Sequence, residues 1–222
     1  ISAYNLGPGA RTTHSGAVSI GEASLAGANE SIALGKGATT TGITAVALGN
    51  SRASGTNSLA AAIANNTSSY GATGANSIAI GQQAKATNSN AIAIGASFTT
   101  ASGSLSLALG RDSYAAGMRS VAIGGGNATA TRSVSIGDTS ATPTVQGHFA
   151  YACGRFSSVG DAQAGTFVLR SDTTDATPEA LTTDNSAAGT TNQVILPNNS
   201  AYGFTGIIVA REAAASTDDF AV

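Results

Sequence analysis

Asn76-Ser77-Ile78-Ala79-Ile80-Gly81 returns fourteen residues later as Asn90-Ala91-Ile92-Ala93-Ile94-Gly95. Two large apolar residues flank a small one, and glycine closes the unit. Read outward from this pair, the same unit stands at Tyr4-x-Leu6-Gly7, Val18-x-Ile20-Gly21, Ile32-x-Leu34-Gly35 and Val46-x-Leu48-Gly49. It continues at Leu107-x-Leu109-Gly110, Val121-x-Ile123-Gly124 and Val134-x-Ile136-Gly137. Successive closing glycines lie 14, 14, 14, 32, 14, 15, 14 and 13 residues apart. A degenerate unit, Leu59-x-Ala61-Ala62, divides the gap of 32 into 13 and 19.

Apolar residues two apart share one face of a strand, with the intervening Ala or Ser on the other. A helix is excluded, because the spacing is not 3.6 and a glycine per coil would cost about 1 kcal/mol each. A fixed short period of this kind marks a solenoid, in which each coil is stable only against its neighbours. Gly42, Gly55, Gly74, Gly103 and Gly117 each fall seven residues before a closing position, and Asn88 takes that place before Gly95. The pattern predicts two corners per coil, both in a left-handed backbone conformation. Ten parallel rungs at roughly 4.8 Å make a rod about 45–50 Å long. One coil offers only two sizeable apolar side chains, so a thin core is expected, with a second face covered by partner chains. Ser31, Ser58, Ser77, Ser106, Ser120 and Ser133 precede the first apolar residue of their rungs. They read either as a hydrogen-bonded ladder or as small solvent-facing positions.

Among the 222 residues, 10% are charged and 5% aromatic, and the net charge is −2. No basic patch is available to neutralise phosphates, so nucleic acid is not an expected partner. No apolar run reaches the ~18 residues of a membrane-spanning helix, so membrane insertion is not expected either. Ile1–Ala10 carries no signal-peptide pattern, which says little of a chain that does not begin with Met. The single cysteine, Cys153, excludes intrachain disulfides.

Asn76–Gly81 and Asn90–Gly95 resemble the head repeats of YadA-like trimeric autotransporter adhesins, and the resemblance covers about residues 1–140. It implies a left-handed parallel β-roll, a homotrimer and a surface role in adhesion. Beyond it, Gly160-Asp161-Ala162-Gln163, Phe167-Val168-Leu169-Arg170, Asp175-Ala176-Thr177-Pro178 and Ile207-Ile208-Val209-Ala210-Arg211 resemble a C-terminal region of phage tail-fibre proteins. The expected architecture is all-β: a trimeric head roll over residues 1–142, then a small antiparallel β-domain of tail-fibre type over 143–222. In that second part Tyr151-x-Cys153-Gly154 reads as a closing rung, with Cys153 buried and inert and His148 exposed beside it. Thr166–Arg170, Gln193–Leu196 and Thr205–Arg211 read as strands, and Asp172–Thr191 as a long loop or hairpin.

Chemistry is sparse. His14 and His148 belong to opposite ends of the rod. Leu34-Gly35-Lys36-Gly37 lacks the spacing of a phosphate loop. Asp172, Asp175, Glu179 and Asp184 do not match a calcium loop and read as a solvated turn. No catalytic, cofactor-binding or metal residue is expected, and no cofactor. Tyr70, in the enlarged 19-residue coil, is the candidate for a contact loop. The expected function is a non-enzymatic phage tail-fibre segment for host attachment. Its expected partners are its own copies, other tail or baseplate proteins, and a host receptor of glycan or outer-membrane type. The alternative is the head of a bacterial surface adhesin; a glycan-degrading tailspike is disfavoured for want of paired carboxylates.

Overall fold

The computed structural model describes residues 2–61, 69–175, 177–196 and 200–210. Within them the chain winds as a β-solenoid with two sheets, and its regular structure is strand throughout. A three-residue strand and a two-residue strand alternate along each coil. The three-residue strands stack in one 12-stranded sheet, and the two-residue strands in a facing 10-stranded sheet. Pairing is parallel and in register from coil to coil: Ile78↔Ile92 and Ile80↔Ile94 on the first sheet, Lys85↔Thr100 and Ala86↔Ala101 on the second. The degenerate unit is a true rung, since Leu59–Ala61 pairs with both Val46–Leu48 and Ile78–Ile80; its Ala62 lies outside the described residues.

The core inverts one expectation. From the second rung onward the middle residue points inward: Ala33, Ala47, Ala60, Ala79, Ala93, Ala108 and Ala122 have no exposed surface. The large apolar pair points out of the solenoid and is half-buried or exposed. Ala26, Ala53, Ala72, Ala86, Ala101, Ala115 and Ala128 enter the same core from the second sheet. Two short strands facing each other across a coil leave room for methyl groups and, at single positions such as Thr40 and Thr142, a threonine, but not for columns of Val, Ile or Leu. The interior therefore fills with alanine at close packing.

Serine fits this interior because it is nearly as small. Ser31, Ser58, Ser77, Ser106 and Ser133 are buried, and each hydroxyl donates to a carbonyl three residues back in its own coil, at 2.6–2.8 Å. They form neither a ladder with one another nor a solvent-facing column; Ser120 Oγ, in the same column, has no partner. Bonds across the core tie the two sheets together, as Thr40 Oγ1 to Ser31 Oγ (2.8 Å) and Thr142 Oγ1 to Ser133 Oγ (2.7 Å). An amide ladder does exist, but on the exposed corner: Asn57 Nδ2 donates to Asn76 Oδ1 (3.2 Å), and Asn76 Nδ2 to Asn90 Oδ1 (3.4 Å).

The corner glycines also need a different reason from the expected one. Gly42, Gly55, Gly74, Gly103 and Gly117 do not have positive φ. The left-handed residues stand two positions later, at Thr44, Asn57, Asn76, Leu105 and Arg119. Glycine is required at Gly55 because a Cβ there would lie 1.9 Å from the Gly74 carbonyl oxygen. The closing glycines do follow the expectation, as at Gly35 and Gly81 (φ 118° and 112°).

The last parallel rung is Phe149–Tyr151, paired with Val134–Ile136, so the solenoid runs past residue 142. The proposed rung Tyr151-x-Cys153 is thereby corrected by two residues, because Ala150 is the small inward residue and Cys153 is exposed. Ala164–Thr166 then returns antiparallel on Phe149–Tyr151. The expected strand at Thr166–Arg170 is displaced to this pairing. Arg170 and Thr182 form an isolated antiparallel bridge, which makes the Asp172–Thr191 excursion a hairpin-like loop. Gln193–Leu196 and Thr205–Ala210 are not strands: among the described residues they join neither of the two sheets; Arg211 is outside the described residues.

Candidate functional site

The outer face of the 12-stranded sheet carries the large side chains that the core cannot hold. Val18/Ile20, Ile32/Leu34, Val46/Leu48, Ile78/Ile80, Ile92/Ile94, Leu107/Leu109, Val121/Ile123 and Val134/Ile136 stand in two columns, with Phe149/Tyr151 at one end. The stripe is two side chains wide and, at about 4.8 Å per rung, roughly 50 Å long. That is on the order of 400–500 Å², and contiguous apolar patches of more than a few hundred Å² on a soluble surface mark interaction sites. Parallel sheets are normally covered on both faces, and an Ile-Ala-Ile strand has the apolar run of a doubly covered strand.

The opposite sheet shows the contrast. Its outward positions are Arg11, Leu25, Thr39, Arg52, Gly71, Lys85, Thr100, Tyr114, Asn127 and Ala141. This mixed, partly charged set needs no cover. Of the two sheets, the one built from the three-residue strands carries the continuous apolar outer face.

The C-terminal end of the solenoid is closed by side chains that composition alone did not single out. His148 occupies the column held by Ser77, Ser106, Ser120 and Ser133 in earlier coils, as the pairing of Phe149 with Val134 requires. It is buried, and its ring stacks on Phe167 with centroids 4.2 Å apart and planes 18° from parallel. The expected roles are therefore reversed: His148 is inside and Cys153 outside. Burial pulls the imidazole pKa down to about 4. Gln163 closes the second sheet. Its Oε1 accepts from Ala141 N (2.8 Å) and its Nε2 donates to Ala141 O (2.9 Å), so the amide imitates one more peptide group at the open edge. Asp161 holds the preceding turn by accepting from the backbone N–H groups of Phe156, Ser157 and Ser158. The bond from Ser158 leads the three in holding its carboxyl below the usual carboxylate range.

Tyr70 is half-buried, with its ring packed against the alanine core. The rest of its enlarged coil, residues 62–68, lies outside the described residues. His14 is exposed in the first coil and bonded to Thr13 Oγ1 at 2.8 Å, far in coil order from His148. The four acidic residues of the hairpin do not converge. Glu179 accepts from Ser171 (2.8 Å), Asp175 from Thr177 N (2.7 Å), and Asp184 from Ser186, Asn192 and Gln146. Hydrogen bonds from Ser186 and Asn192 hold Asp184 down to about 2. A polar hollow of about 370 Å³ beside them is lined by Ser171, Asp172, Glu179, Thr182, Asn185 and Ser186. Among the described residues no three His, Cys, Asp or Glu side chains are grouped to hold a metal ion.

The family model of the YadA head domain repeat matches residues 26–51, 72–97 and 101–127. Each match contains two successive rungs, and all lie within the solenoid. No curated protein sequence matches the chain.

Proposed function

We propose, taking as premise that this chain carries YadA head domain repeats, that it is a non-enzymatic module of a trimeric adhesive fibre acting outside the cell. One observation carries the reading: the apolar stripe on the three-residue strands. Three copies that bring their stripes to a common axis bury it and leave the three polar sheets in water. The isolated coil, with its alanine interior, is thereby thickened into a rod with a core of branched side chains.

Within that reading we favour a phage tail-fibre segment that presents a host-binding surface. The support is the resemblance of Gly160–Gln163, Phe167–Arg170, Asp175–Pro178 and Ile207–Arg211 to tail fibres; the first of these lies in the closing turn. The head of a bacterial surface adhesin is the second reading, favoured by the head repeats themselves. The enlarged coil at Tyr70 is the proposed contact loop in either case, and a host glycan or outer-membrane component the proposed receptor.

Purified protein incubated with intact candidate host cells tests the reading. Saturable binding, with no oligosaccharide released from the cell envelope, is the expected result. Release of oligosaccharide would replace the adhesive reading with a hydrolytic one. The proteins bound to the full-length chain separate the two fibre readings, since only a tail fibre joins other tail or baseplate proteins.

A further inference from the structure

We infer that residues 160–167 form an acid-sensitive cap, docked on the end of the solenoid through His148 and released when that imidazole takes up a proton. Four observations place the device. Ala164–Thr166 covers the open edge of the last rung by antiparallel pairing. Phe167 lies flat on the His148 ring. Gly165 passes so close that a Cβ on it would stand 2.6 Å from His148 Nε2. Every other described residue of the His148 column is serine or alanine, so imidazole is found only where the cap meets the core.

The elements packed around the ring offer the cation nothing in return. The last rung brings Tyr151 and Cys153, the closing turn Arg155 and Asp161, the outgoing segment Arg170, and the preceding coil Arg132. Asp184 is engaged with Gln146, two residues before the ring. Among the described residues none of these makes a hydrogen bond or ion pair to the imidazole. A proton on His148 is therefore a buried charge without a partner, a state a protein relieves by moving the group into water.

The sign follows from the depressed affinity. The docked ring binds its proton at about 4 and a solvated one at about 6.5, so docking is fully favoured above 6.5 and weakens as pH falls towards 4. Those two values make the opening equilibrium about 30-fold more favourable at pH 5 than at pH 8. The released edge is a row of unpaired N–H and C=O groups, the part of a sheet that recruits further strands.

Hydrogen–deuterium exchange of the full chain, read by mass spectrometry on a peptide covering 160–170, tests the cap. Protection corrected for the intrinsic pH dependence should fall at least 10-fold between pH 8 and pH 5, while peptides from the coils at 76–95 hold theirs. His148→Gln, neutral at every pH, should abolish the change, and Phe167→Ala should open the cap at pH 8. Equal protection at both pH values, or an unaltered acid response in His148→Gln, overturns the inference. Should His148→Gln not fold, His148→Ser, which restores the residue of the column, serves in its place with the same expected result.

Discussion

Gly55 and Gly49 separate two reasons for a glycine, and replacing each by alanine measures them. At Gly55 the backbone is not left-handed, yet an added Cβ would sit 1.9 Å from Gly74 O and 2.4 Å from Gly74 C. Ordinary contact begins at 3.4 Å, so the two coils must part locally by more than 1 Å. The bonds bridging them are Ser54 N to Ala72 O (2.8 Å), Gly55 N to Ala72 O (3.2 Å) and Asn76 N to Thr56 O (2.7 Å). Stretching two or three of these, at a net value of about 1 kcal/mol each, predicts a loss of about 2–3 kcal/mol. At Gly49 nothing lies within 4 Å of the added Cβ, and φ is +69°. Only the left-handed conformation is penalised there, at about 1 kcal/mol. Denaturant unfolding at one fixed protein concentration compares the two variants with the parent chain, holding any association constant. Gly55→Ala must be clearly the worse. If it costs no more than Gly49→Ala, coil-to-coil contact is not what reserves that corner for glycine.

Other perturbations have equally definite outcomes. Ile92→Asp combined with Ile94→Asp places charge in the apolar stripe and should yield monomers on sizing without loss of strand signal in circular dichroism. Ala93→Leu, directed into the alanine core, should destabilise by about 1–3 kcal/mol through overpacking, whereas Lys85→Leu on the opposite outer face should change stability by less than about 0.5 kcal/mol. Gln163→Ala removes the amide that closes the second sheet, so exchange at Ala141 should quicken while the exchange of the central coils stays unchanged. Asp184 is held near 2, so the hairpin it organises should persist as pH falls to 3.8 and loosen between 3.8 and 2; Asp184→Ala should show that looseness at neutral pH.

The period, the rungs and the all-β class were legible in the sequence because glycine and alternating apolar residues repeat in register. Even Leu59–Ala61, which lacks its glycine, was placed correctly from its neighbours. What alternation does not say is which face points inward. Size holds that information: the middle residues from Ser19 to Ala150 are all Ala or Ser, whereas the residues flanking them vary among Val, Ile, Leu, Phe and Tyr, with Ala61 the one small flank, as a surface allows and a narrow core does not. Gly55 was recognised as a corner residue but for its φ, since glycine serves both tight approach and left-handed turns. Cys153 and His148 exchange places because the true last rung, Phe149–Tyr151, lies two residues before Tyr151-x-Cys153. Phe149-Ala150-Tyr151 has the small middle residue of the rungs from Val18–Ile20 onward, but its two aromatic flanks hide the likeness. The bonds from Gln163 to Ala141 span 22 residues and carry no local signal at all.

Sedimentation equilibrium of the intact chain bears most directly on the account, because the outward apolar stripe is its foundation. Three copies of the 21.5 kDa chain should sediment as one species whose mass does not change on dilution through the micromolar range. A stable species of 21.5 kDa, with the stripe left facing water, would contradict it.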